Sequence, residues 1–278
     1  MRGYKLATIR GIVDDGGIIE DIRLGPANIH DFRFCEEMLL TSPVLKQNDI
    51  LINDRGFLSR PMINALKTDR DVDVYVPLKE NMEAYQLAVS VAVEKNQWAK
   101  HPNRKRDNQM IALVTDIGPY WNSENLLNDV PINACVVWDK ESDKYFVFVT
   151  TDLTKSAKQI VQMYELRPEI EEDYRQLKDF WKLEDFKSTK FNTIAFHIVC
   201  VLLGYLFFQL FRLLPEGEQW LGRSLPVVLK NYTPTTNNHI IVYAKNVFGV
   251  FPLIELLEIY SSCSVEAKQK LLSIEGFA

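Results

Sequence analysis

The stretch YELRPEIEEDYRQLK, residues 164–178, decides how the rest of this chain is read. Pro168 divides it. A residue before a proline is pushed out of the helical region, so a helix from about Lys155 to Tyr164 is expected to end ahead of Pro168. A second helix is expected to start at Pro168 and run to about Trp181. At ~100° per residue, Glu171, Arg175 and Lys178 fall within an arc of about 60° on one helix face. Glu171 also lies in the first turn, where the helix dipole favours a carboxylate. Spacing alone leaves two readings open. One is a solvated surface helix braced by a pair such as Glu171–Arg175; the other is a carboxylate that does chemistry.

The surroundings narrow the class. The chain has 278 residues, 47% of them hydrophobic and 25% charged, which suits a soluble globular protein with a sizeable core. Its four cysteines, Cys35, Cys135, Cys200 and Cys263, lie far apart with no C-x-x-C pair. That speaks against a zinc or redox motif and fits a reducing compartment. MRGYKLATIR at the start has no apolar stretch of the signal-peptide kind, so a cytoplasmic location is expected. The net charge of −5 argues weakly against a nucleic-acid partner, but the basic triplet Arg104-Lys105-Arg106 can serve either as a solvated loop or as a phosphate contact.

Residues 193–214, TIAFHIVCVLLGYLFFQLFRLL, carry a single charge, Arg212. The run is long enough to cross a bilayer. His197 and Gln209 within it, and the lack of a second such span, favour a fully buried core helix packed on a sheet.

Elsewhere the pattern alternates. YKLATIRGIV (4–13) and IIEDIRL (18–24) flank Asp14-Asp15-Gly16-Gly17, a hairpin signal. Asp31 is placed to cap a helix through about Leu40. DILIN (49–53) reads as a buried strand that delivers Asp54 to its end. A helix near 61–67 and a strand at 72–77 follow, and INACVVWD with YFVFVTT forms a further hairpin. Residues 80–150 read as a β-rich insertion and residues 215–278 as mostly helical.

Taken as one pattern, Tyr164, two residues, Arg167, three residues, Glu171, six residues, Lys178 resembles the Tyr-Arg-Glu-Lys signature of a large group of DDE insertion-sequence transposases. Asp54 in ILINDRGF resembles the second aspartate of that family. GYKL…GIIEDIRLGPANIHD resembles its hairpin and the lead into its first helix, and FHIVCVLLGYLFFQL resembles the helix after the glutamate. The resemblance covers roughly residues 3–212.

Such a resemblance implies a ribonuclease-H-like α/β fold: a mixed sheet flanked by helices, with the catalytic core in residues 1–79 and 151–214, the insertion in 80–150 and the helical segment in 215–278. It implies three carboxylates holding two Mg²⁺ or Mn²⁺ ions for in-line attack on a phosphodiester. Asp54 and Glu171 would be catalytic metal ligands. Tyr164, Arg167, Arg175 and Lys178 would meet phosphates of transposon-end DNA, and Phe146 would stack on a displaced base. A homodimer in a synaptic complex, acting at the bacterial nucleoid, is the implied assembly.

The family's first aspartate lies on a strand ahead of the hairpin, and no such strand is found before Gly3-Tyr4. The chain is therefore expected to lack the first core strand, its carboxylate and the N-terminal DNA-binding region, leaving a catalytically incomplete transposase. Two alternatives stand beside this: a non-catalytic DNA-binding derivative, and a membrane-associated protein that uses residues 193–214.

Overall fold

The two first alternating runs pair as an antiparallel hairpin, β1 (Tyr4–Val13) with β2 (Gly16–Pro26), in a two-stranded sheet of its own. The computed structural model describes residues 3–13, 16–115, 117, 130–215, 217–228, 239–244, 247–252, 258 and 261–266; the expected turn residues Asp14 and Asp15 lie outside them. A bulge between Ile9 and Arg10 shifts the register. An extra residue flips the side-chain alternation beyond it. Ile19 and Leu24, five positions apart, consequently join the same hydrophobic cluster.

Helix α1 (Asp31–Thr41) follows. Its cap is His30, which accepts the Phe32 N–H, and not Asp31 as expected from sequence. Asp31 sits in the first turn, where its charge suits the dipole and where Lys5 pairs with it. The far end is closed from a distance. The Arg70 guanidinium donates to the carbonyls of Leu39, Leu40, Ser42 and Leu45, satisfying acceptors that a helix end leaves open.

The main sheet has six strands in the order β3-β4-β8-β7-β6-β5. They are β3 (Ile50–Ile52), β4 (Asp73–Pro77), β5 (Ala99–Lys100), β6 (Gln109–Val114), β7 (Asn133–Asp139) and β8 (Lys144–Thr150). β3 and β4 are parallel and the other pairs antiparallel, so the sheet is mixed. Helices α2 (Arg60–Arg70) and α3 (Glu83–Lys95) share one core with α1 and with Val74, Val76, Ala134, Val136, Val147 and Val149. Helix α4 (Ala157–Tyr164) covers the other face, where Ile160 and Val161 meet Tyr75, Ile111, Cys135 and Val137. Alternate residues of each strand thus feed opposite layers. α3 falls inside the stretch read as β-rich; Ala84, Ala88 and Ala92 recur every fourth residue and make its buried stripe.

β3 is an edge strand. Among the described residues no strand pairs with its free side, and β1 does not hydrogen-bond to it. Yet Ala7 and Ile9 of β1 lie in the same core as Leu51 of β3. Hairpin and sheet share a core without sharing a ladder.

The hairpin's second face packs on α5 (Glu169–Asp179) and α6 (Phe191–Arg212). Asp173 is the polar centre of this contact. It accepts from Arg10 Nε at 2.6 Å and Tyr205 Oη at 2.6 Å, and it is only 6% exposed. Gly204 lets Trp181 lie against α6, since a Cβ there would stand 2.8 Å from the indole.

α6 corrects an expectation. It is not buried all round and does not pack on the main sheet. One face, carrying Ile194, Ile198, Leu202, Tyr205 and Gln209, is buried against the hairpin and α5, while Phe196 is 71% and Phe207 67% exposed. An apolar run tells how much surface is hydrophobic, not how much finds a partner.

Residues 212–278 form a second unit. Its described part holds a 3-10 turn, Glu218–Trp220, helical residues at 225–228 and 261–262, and an antiparallel hairpin, β9 (His239–Ala244) with β10 (Val247–Pro252). Much of the segment read as mostly helical lies outside the described residues, and the described part holds both strands and helical residues. The β-branched and aromatic runs HIIVYA and VFGVFP favour strands.

Candidate active site

Asp54 follows the end of β3, one residue past the buried Asn53, whose N–H donates to the Tyr75 carbonyl. It caps the 3-10 turn Arg55–Phe57 by accepting the Arg55 N–H at 2.7 Å. One oxygen is thereby fixed, and the other, Oδ2, accepts from Arg167 Nη2 at 3.0 Å.

Arg167 sits in the turn between α4 and α5. Its other terminal nitrogen, Nη1, donates to Glu171 Oε1. The planar fork thus spans the two carboxylates, which places them within ~8 Å of each other. Their side chains keep 48% and 61% of their exposure. Glu171 stands in the first turn of α5 with Glu169 and Glu172, where the N-terminal dipole stabilises negative charge. Asp54 and Glu171 therefore converge as expected, with Arg167 between them.

Tyr164 ends α4, and its ring lies 4.5 Å from that of Phe148. Burial raises the phenol's pKa above its ordinary value, and the negative charge of nearby Asp54 raises it further. The carbonyl of Tyr164 accepts from the Arg167 N–H at 3.1 Å, which holds the turn that aims the guanidinium. Phe146 is 46% exposed and two residues from Phe148 on β8, so both rings project from one sheet face.

Arg175 and Lys178 lie farther along α5 and do not touch the two carboxylates. Arg175 makes a two-pronged pair with Glu172 at 2.7 and 2.5 Å, and Lys178 pairs with Glu184 at 2.9 Å. The Glu171–Arg175 pair considered from spacing is not formed, because Arg167 takes Glu171 from the preceding turn. These are solvent-exposed pairs of small net worth, so both cations can exchange their partners for a phosphate.

Beside Tyr164 opens a cleft of about 430 Å³. Phe148, Tyr164, Asn103, Arg106 and Glu165 line it. Arg106, from the basic triplet, and Asn103 both hold Glu165, at 3.3 and 3.0 Å. Asn103 and Glu165 were not singled out in the sequence. Phe148 carried a usable signal, its i+2 spacing from Phe146.

Among the described residues no group of three His, Cys, Asp or Glu side chains is placed to hold a metal. Asp54 and Glu171 supply two hard oxygen donors that already enclose one cation, the guanidinium. Such a donor set fits Mg²⁺ or Mn²⁺, which are held by one or two carboxylates completed by water and phosphate oxygens.

No curated protein and no solved structure matches the chain. The family described as "Transposase DDE domain" matches residues 2–207. That range takes in the hairpin, the six-stranded sheet, Asp54, Arg167, Glu171 and most of α6. The mixed sheet flanked by helices is the ribonuclease-H-like arrangement of such domains, and the chain belongs to the family of DDE transposase domains.

Proposed function

We propose that this chain is the metal- and DNA-binding part of a transposase of the Tyr-Arg-Glu-Lys subgroup, and that its catalytic site is incomplete without a further carboxylate. The observation that carries this reading is the Arg167 fork. It joins Asp54 and Glu171, which belong to elements distant in sequence, at one exposed point.

Asp54 and Glu171 would hold Mg²⁺ or Mn²⁺, which when bound polarises a phosphodiester and activates the attacking oxygen. The protein's own residues do the rest. The 3-10 turn fixes Asp54, and the first turn of α5 fixes Glu171. Arg167, which now donates to both carboxylates, would be free to donate to a phosphate oxygen if Asp54 and Glu171 held such an ion. Tyr164 would hydrogen-bond the same strand, and Arg175 and Lys178 would follow its backbone. Phe146 would stack on a base lifted from the duplex.

Among the described residues no third carboxylate joins Asp54 and Glu171; an acidic side chain reaching them from the side of β3 that no described strand pairs with would complete the site. The substrate is transposon-end DNA, and the protein would act at the bacterial nucleoid as a homodimer.

Calorimetric titration with Mn²⁺ tests the metal part. The wild-type chain is expected to bind Mn²⁺, and Asp54→Asn and Glu171→Gln to lose that binding with their folds intact. Equal binding by all three would sink the assignment. Nicking of transposon-end DNA by the chain alone, with Mg²⁺ present, would show the site to be complete. DNA binding that is indifferent to both substitutions and to metal would favour the non-catalytic derivative.

A further inference from the structure

The basic triplet Arg104-Lys105-Arg106 is a held turn and not a solvated loop. It forms a 3-10 turn capped by Asn103, whose side-chain oxygen accepts the Lys105 N–H at 3.0 Å. The Asn103 N–H donates to Nδ1 of the buried His101 at 3.1 Å. The other end of the same amide leaves the turn: Asn103 Nδ2 donates to Glu165 Oε1 at 3.0 Å, and Arg106 Nε pairs with that oxygen at 3.3 Å. Two side chains of the turn thus close on one acid of a distant element. Glu165 caps the C-terminal end of α4, where the helix dipole disfavours a carboxylate and favours the cation that joins it.

This contact sorts the three cations. Arg106 is neutralised by Glu165, whereas Arg104 and Lys105 are exposed and neither has an acidic partner among the described residues. Glu165 directly follows Tyr164 and stands two positions before Arg167. The turn therefore borders the candidate site, on the cleft that Asn103, Arg106, Phe148 and Tyr164 line. A chain of net charge −5 has no general attraction for a polyanion, so locally fixed cations must supply it.

We infer that this turn is a second phosphate grip for the DNA at the site, separate from Arg175 and Lys178 on α5. Arg104 and Lys105 each hold a backbone phosphate, and Glu165 is the positioning residue that keeps the turn beside Tyr164. The inference rests on the DNA partner proposed above and extends its footprint to residues 103–106.

Fluorescence anisotropy of the whole chain with a labelled DNA duplex of arbitrary sequence, in EDTA and over a salt series, tests it, since phosphate contacts carry no sequence information. Arg104→Ala and Lys105→Ala are each expected to lower the salt slope by ~0.9 and, at about 0.1 M salt, the affinity by ~8-fold. Lys95→Ala, at an exposed position on α3 against the opposite face of the sheet, should change neither. Glu165→Ala removes a negative charge, yet should weaken binding at least ~3-fold and shrink the effect of a further Arg104→Ala, as coupled positions do. Glu165→Gln still accepts from Asn103 and should recover most of the binding. Tighter binding by Glu165→Ala, a Glu165→Gln variant no better than it, a loss from Lys95→Ala equal to the others, or slopes unmoved by Arg104→Ala and Lys105→Ala would each overturn the grip. If those two slopes stay while Arg175→Ala and Lys178→Ala reduce theirs, the turn alone is excluded. A wild type that binds no DNA removes the turn and the proposed partner together.

Discussion

Arg167 donates to Asp54 at 3.0 Å across 113 residues of sequence. The same guanidinium donates to Glu171 one helical turn away. A single cation therefore neutralises two carboxylates that belong to different parts of the chain. It holds the end of β3 and the start of α5 in a fixed relation.

Removing that cation should have opposite effects on the two ligands. Arg167→Ala leaves two carboxylates facing each other with no counter-charge, so Mn²⁺ should bind roughly two- to five-fold more tightly, in line with the ~0.2–1 kcal/mol of an exposed pair. Binding of transposon-end DNA should weaken and lose ~1 from its salt slope. Calorimetry and fluorescence anisotropy over a salt series measure the two. Weaker Mn²⁺ binding in the variant would mean that Arg167 shapes the site and does not compete for it.

Lys178→Ala and Arg175→Ala should each reduce the salt slope of DNA binding by ~1 and leave the urea midpoint of unfolding essentially where it is in the wild type. Both side chains are about half exposed and their acidic partners can turn to water. A substantial loss of stability would show that the ion pairs are structural.

The Arg10–Asp173 pair is of another kind. Both side chains are 8% exposed, and Asp173 also accepts from Tyr205. Arg10→Ala strands a buried carboxylate and should cost ~3–5 kcal/mol in urea unfolding, a large part of a typical domain's stability. Replacing both residues by Leu and Met should cost less than Arg10→Ala alone. A double variant less stable than the single would show that the pair contributes more than its removal penalty.

Tyr164 links the site to pH. Its folded pKa is raised above the ordinary 10.0 because burial, and then the charge of Asp54, disfavour the phenolate. The folded state therefore holds the proton more firmly than the unfolded one. The stability this gives is fully present below pH 10.0 and is lost as pH rises through the folded value. Tyr164→Phe should show a flatter fall of stability above that pH, and the wild-type phenol absorbance should contain one late-titrating tyrosine that the variant lacks. Superimposable alkaline profiles would contradict the burial of this phenol.

Much of this was legible in order and type. β-rich runs around turn residues marked β1, β2, β7 and β8, because β-branched and aromatic side chains suit a pleated strand. Pro168 fixed the break between α4 and α5, because its ring forbids the preceding residue a helical backbone. The spacing of Tyr164, Arg167, Glu171 and Lys178, with Asp54 at a strand end, pointed to the candidate site. All of these signals are local. They reside in a few neighbouring residues and survive without knowledge of what packs on them.

What only the tertiary structure decided is pairing. Sequence made Glu171 available to Arg175 and to Arg167 alike at i,i+4 spacing; the choice fell to Arg167 because Asp54, brought in by β3, completes its fork. Sequence marked residues 193–214 as apolar throughout, but the hairpin and α5 cover only one side and leave Phe196 and Phe207 in water. It did not place the hairpin that HIIVYA and VFGVFP form among the described residues of the second unit. The missing first core strand left open whether hairpin and sheet would pair directly; the structure shows them sharing a core without sharing hydrogen bonds. Hydrophobicity and charge are properties of a residue, whereas burial and ion pairing are properties of two surfaces that meet, and which surfaces meet is set by the path of the whole chain.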